Sequence, residues 1–95
     1  METEAEFKTK VDHIFIMLLS AIMENDLKDV KHYLSDEVEE KLQKLIDNYL
    51  RDNVTRIFDE MNVKSTDILR EYDNENGHNI EVLLTSRYMD YFLDV

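Results

Sequence analysis

The spacing of apolar residues changes once along this chain, from a helical repeat to alternation, and that switch fixes the class of fold open to it. Phe7, Val11, Ile14, Phe15, Leu18, Leu19, Ile22 and Met23 form one continuous stripe at helical spacing. Val38, Leu42, Leu45, Ile46, Tyr49 and Leu50 form a second. From Met61 the period drops towards two, and the only glycine sits in Asn76-Gly77, a dipeptide suited to closing a hairpin. The expected fold is therefore α+β, with N-terminal helices packed on a curved antiparallel sheet, in one domain over residues 1–95.

Capping residues set the expected boundaries. A first helix spans about residues 4–24, with Glu4 and Glu6 near its positive end. Asp26 is an N-cap for a short helix over about 26–34 carrying Leu27, Val30 and Leu34, and Ser35 caps a third over about 36–52. Val54, Ile57, Phe58 and Met61 keep helical spacing although β-branched and aromatic residues are rising, which reads as a helical turn leading into a strand. The strands are expected at about 61–72 and 79–95. A slip of the apolar phase at Thr66 and Asp67 suggests a β-bulge there.

The second strand is apolar on both parities: Ile80, Val82, Leu84, Tyr88 and Phe92 on one, Leu83, Met89, Tyr91, Leu93 and Val95 on the other. A two-stranded ribbon under a layer of helices covers only one of those faces. The other, with Leu83, Met89, Tyr91 and Leu93, is the expected ligand or partner surface.

Charge narrows the partners. The net charge is −11, from 22 acidic and 11 basic residues, and neither half of the chain holds a basic cluster. That excludes the electrostatic footprint of a nucleic-acid or anionic-membrane binder. With no cysteine there is no disulfide framework, thiolate metal site or thiol nucleophile. The longest apolar run, Ile14 to Leu19, is too short to span a bilayer. A cytoplasmic location is expected, with any membrane association made through regions outside this chain.

The residues give little support to catalysis. His13, His32 and His78 have no ligand spacing, and Asp73-Asn74-Glu75-Asn76-Gly77 lacks the later glutamate of a calcium loop. Tyr88, Asp90 and Tyr91 are the residues to which acid–base roles could be given, and Asp90 near a chain end is expected to be wet. Thr85 and Ser86 lack the surroundings of an acyl-transfer nucleophile. Met17, Met23, Met61 and Met89 read as core packing before they read as the lining of a ligand hollow. Glu37, Glu39, Glu40 and Asp47, with Lys41 and Lys44 interspersed, read as a solvated helix face. No cofactor or metal is expected.

The segment Ala21-Ile22-Met23-Glu24-Asn25-Asp26-Leu27-Lys28-Asp29-Val30, followed by Tyr33-Leu34-Ser35-Asp36-Glu37-Val38, resembles the C-terminal domain of the mitochondrial inner-membrane import-motor scaffold and its bacterial relatives. The likeness lies in two corners, a polar-polar-Asp-Leu turn and a Leu-Ser-Asp-Glu helix start, and in the order of helices before strands. It implies a cone-shaped fold of the nuclear-transport-factor-two-like superfamily, acting as a docking module at membranes or on large assemblies. The resulting expectation is a non-enzymatic protein-interaction domain that self-associates as a homodimer. The alternative is a carrier of an apolar or lipid-like molecule in the hollow between helices and sheet.

Overall fold

The computed structural model describes residues 2–94. Helix α1 (Glu4–Glu24) and helix α2 (Asp36–Asp52) pack on one face of a hairpin formed by β1 (Val54–Asn74) and β2 (Gly77–Asp94). This is the α+β arrangement that the switch of period implies. Each helix has a local reason to start and stop. The Thr3 hydroxyl accepts from the Glu6 N–H and the Ser35 hydroxyl from the Val38 N–H. At the other ends Asn25 and Asn53 adopt the left-handed conformation, a C-terminal stop that asparagine tolerates.

Between the helices the chain does not form the expected helix over 26–34. The Asp26 carboxylate accepts from the Lys28 N–H at 2.9 Å and organises a turn that runs into a 3-10 segment, Lys31–Tyr33. The short connection drives Leu27 and Val30 into the core instead of extending a helix. There they surround Ile46 of α2, which is fully buried, together with Ala21 of α1. A second cluster joins Leu19 and Ile22 of α1, Tyr49 of α2 and Phe58 of β1. The Met23 sulfur accepts the Phe58 N–H at 3.3 Å, and the buried Thr66 hydroxyl donates to the Asp12 carboxylate, so α1 is tied to β1 at two levels.

The strands are longer than expected. β1 begins at Val54, not after Met61, so residues 54–61 are strand and not a helical turn. The turn at Glu75-Asn76 is closed by Gly77 at φ 114°, while the Asn74 side chain accepts from the Asn76 N–H. Val95, the expected end of the second strand, lies outside the described residues.

β1 has 21 residues against 18 in β2, and the surplus is taken up by three register shifts, between Asp59 and Asn62, Val63 and Ser65, and Ile68 and Arg70. The extra residues lie on β1. No shift falls at Thr66 and Asp67, which pair in unbroken register with Leu84 and Leu83; the phase change read there belongs to the bulge at Lys64. Bulges bend a strand and sharpen its twist, so three on one strand curve the hairpin.

The packing leaves much of the sheet open. A compact chain of this length has a radius of gyration of roughly 12 Å, against 15.1 Å here. Its accessible surface, 7019 Å², exceeds by about 1,200 Å² what a folded monomer of its mass exposes.

Candidate interaction surface

β2 carries no bulge, so its residues alternate strictly between two faces. Even-numbered residues face the helices. Ile80, Val82, Leu84 and Ser86 are partly covered there, and near the open end of the hairpin Tyr88 meets Phe58 edge-on at 5.3 Å and Phe92 meets Tyr49 at 5.4 Å. On the same face Arg56 of β1 grips Asp90 of β2 through two hydrogen bonds, at 2.9 and 2.6 Å, and donates to the Tyr49 hydroxyl at 3.2 Å. Its guanidinium lies over the Phe58 ring at 4.8 Å.

Odd-numbered residues face away from the helices, and here the predicted surface residues are found. Met89, Tyr91 and Leu93 project from β2 opposite Asp59, Ile57 and Thr55. With Ile57 they form an apolar patch, and Met89 and Leu93 are each about half exposed. Leu83 shares the face and is 52% exposed, but its cross-strand partner is Asp67 and it is separated from Met89 by Thr85 and Arg87, roughly 20 Å along the strand. The four residues thus lie on one face without forming one patch.

The sheet holds two strands, so the far edge of β2 has no hydrogen-bonding neighbour among the described residues. The helices pack mainly over β1.

The remaining candidates resolve into local structure. Arg56, by its hydrogen bonds, holds the Asp90 carboxyl below the usual carboxylate range despite some opposing burial, the opposite of what a general base at neutral pH needs. Tyr88 is committed to Phe58, and Tyr91 points to the other face. Thr85 and Ser86 lie mid-strand on opposite faces. His13 is exposed on α1, His32 stacks on Tyr33 at 4.0 Å, and His78 Nδ1 lies 2.8 Å from Asp73 at the hairpin tip. No three metal-ligating side chains come together among the described residues. Met17, Met23 and Met61 pack against the core clusters, while Met89 belongs to the outer patch. Lys41 pairs with Glu37 and Lys44 with Glu40 on the exposed face of α2.

A cleft of about 500 Å³ opens between the start of α1 and the distal hairpin. Phe7, Ile68 and Ile80 line it together with Glu2, Glu4 and Glu71. Sequence reasoning missed the role of Arg56; the available signal was a lone arginine among apolar residues at a strand start. No described helix is long and apolar enough to cross a membrane.

The family model described as the Tim44-like domain matches residues 3–95, nearly the whole chain. No match was found among curated proteins or among solved structures.

Proposed function

The chain belongs to the Tim44-like domain family, a family of scaffold and docking domains associated with the mitochondrial inner membrane, and on that premise we propose that it is a non-enzymatic docking domain that self-associates through the open surface of its hairpin. The observation that carries this reading is the uncovered outer face of the sheet at Ile57, Met89, Tyr91 and Leu93. Contiguous exposed apolar surface of this kind marks interaction sites in soluble proteins. The surplus surface of about 1,200 Å² exceeds the roughly 800 Å² that each partner contributes to a standard interface. Helices and β1 then serve as the rigid support that presents β2.

A carrier role for an apolar molecule fits less well. The space between helices and sheet is filled by the two core clusters, and the cleft beside α1 is rimmed by three glutamates, which repel the carboxylate or phosphate head of a lipid.

Sedimentation velocity over a wide concentration range tests the docking reading. The wild-type chain is expected to pass from monomer to dimer, and Tyr91→Asp to shift that transition at least tenfold upward while keeping its circular dichroism. A wild-type chain that stays monomeric at the highest concentration overturns the self-association.

A further inference from the structure

We propose that Asn76, at the tip of the hairpin, is a self-modification site: the Gly77 backbone nitrogen displaces its side-chain amide, and water opens the resulting ring to leave isoaspartate or aspartate. This stands apart from the docking reading and uses no residue of the outer patch.

The step is intramolecular and balances with water alone. The Gly77 amide nitrogen gives its proton to solvent base and bonds to Asn76 Cγ; the Cγ–Nδ2 bond breaks, and ammonia leaves with a proton taken from solvent. The product is a succinimide ring made of Asn76 Cα, Cβ, Cγ and backbone carbonyl carbon together with the Gly77 nitrogen. Water then adds at one of the two carbonyls. Breaking the bond from the nitrogen to Cγ restores the ordinary backbone with aspartate at this position, whereas breaking the bond to the backbone carbonyl carbon routes the chain through the side chain as isoaspartate. Carrying nucleophile and target on adjacent residues supplies the proximity that hydrolysis of a free amide lacks.

Both neighbours of the reacting bond suit it. Of the seven asparagines, only Asn76 precedes glycine, and glycine has no side chain to shield its nitrogen. A Cβ placed at Gly77 would meet nothing within 4 Å, so the ring has room to form. Gly77 and Asn74 make the last pair of the ladder, the one that opens first when the hairpin end frays. Asn76 is exposed and joins the turn through its backbone N–H, which donates to the Asn74 side chain at 2.8 Å. The other asparagines are less well placed. The Asn74 side chain is occupied by that bond, and the Asn79 side chain donates to the Gly77 carbonyl at 3.0 Å. Asn25 precedes Asp26, whose N–H is held by the Ala21 carbonyl at 3.0 Å. Asn48, Asn53 and Asn62 precede tyrosine or valine, which crowd the nitrogen.

The product differs from the parent in charge and in backbone length. Either form adds a carboxylate to a tip that already carries Asp73 and Glu75, in a chain of net charge −11. Isoaspartate also inserts one carbon between positions 76 and 77, which displaces the Asn74–Gly77 and Asp73–His78 pairs. Met89 lies roughly 40 Å along β2 from Gly77, so the outer patch is left as it is.

The test is to hold the folded chain in mildly alkaline buffer at body temperature for a month and to follow the tryptic peptide Glu71–Arg87 by mass spectrometry, with fragmentation that separates isoaspartate from aspartate. The wild-type peptide is expected to gain the mass difference between a hydroxyl and an amino group, at position 76, with isoaspartate the larger share and a rate that rises with pH. Asn76→Gln, which keeps an amide but needs a six-membered ring, is expected to react at least tenfold more slowly. Gly77→Ala should slow the reaction at least fivefold, and the glutamine variant keeps the test sound if alanine disturbs the turn. A wild-type peptide unchanged after the month, or a gain located at Asn74 or Asn79, overturns the proposal. So does an Asn76→Gln chain that gains the mass as fast as wild type.

Discussion

Arg56 and Asp90 sit diagonally on neighbouring strands, two residues out of direct register, and their forked hydrogen bonds close the open end of the hairpin against Tyr49 of α2. A partly exposed ion pair is worth about 0.2–1 kcal/mol, and the guanidinium over Phe58 adds about 0.5–1 kcal/mol. Arg56→Ala is therefore expected to cost about 1–2 kcal/mol and to lower the melting temperature by roughly 5–12 °C. Asp90→Asn should cost less, since the ring contact survives. Thermal denaturation at fixed protein concentration checks the order; an Arg56→Ala variant melting with the wild type would show that the pair does not hold the hairpin end.

The same pair carries a pH signature. Hydrogen bonding to Arg56 lowers the Asp90 pKa, so the folded state favours its ionised form. Its contribution is fully present above the unfolded value of about 4 and fades as pH falls through the folded value. Acid also relieves the repulsion of the net negative chain, which works in the opposite direction. The difference in urea stability between wild type and Asp90→Asn isolates the pair. That difference should be present at pH 7 and shrink towards zero as pH falls below the ordinary carboxylate range; a difference independent of pH would rule out the ionised pair as its source.

The α+β order is legible in the sequence because helix stripes and caps are local. Ser35 needs only the Val38 N–H three residues on to begin α2. The start of β1 is not legible for a related reason. The bulge that leaves Glu60 at φ 53° puts Phe58 and Met61 on the same face three residues apart, the spacing a helix would give. Bulges arise from pairing with β2, and no residue near Glu60 announces them. The spacing of Leu27 and Val30 does report burial correctly, but the connection between two capped helices leaves room for a turn only. The outer face is readable from the parity of β2. The anchoring of its other face by Arg56 depends on cross-strand register, which composition does not encode.

Ile46 is fully enclosed among Ala21, Leu27 and Val30, whereas Leu50, one turn further along α2, is 55% exposed. Ile46→Ala is expected to cost about 2–5 kcal/mol, a large share of the stability of a domain this size. Leu50→Ala should stay within about 0.5 kcal/mol of wild type. Urea denaturation of both variants checks the contrast, and equal effects would refute the placement of the core between α1, α2 and their connection.

Asn25 ends α1 in the left-handed conformation at φ 55°, and its buried Oδ1 has no hydrogen-bond partner. Glycine adopts that conformation without a Cβ penalty and removes the unpaired acceptor, gains offset in part by its greater unfolded-state entropy. Asn25→Gly is thus expected to be neutral to about 1 kcal/mol stabilising. Asn25→Ala should destabilise, because alanine carries the Cβ and not the local hydrogen bonding that lets asparagine tolerate this geometry. A glycine variant less stable than the alanine variant in the same melting series would contradict this account.

Ionic strength distinguishes an apolar contact between copies from one made by complementary charges. Each copy carries −11, and the outer patch of Ile57, Met89, Tyr91 and Leu93 carries no charge, so the long-range force between copies is repulsive and the short-range one is not. Salt shortens the screening length from about 30 Å at 0.01 M to about 8 Å at 0.15 M. Added sodium chloride should therefore tighten the dimer, with the dissociation constant from sedimentation falling several-fold across that range. Weakening by salt would mean that ion pairs hold the copies together, and the apolar patch at Met89, Tyr91 and Leu93 would then be the wrong surface.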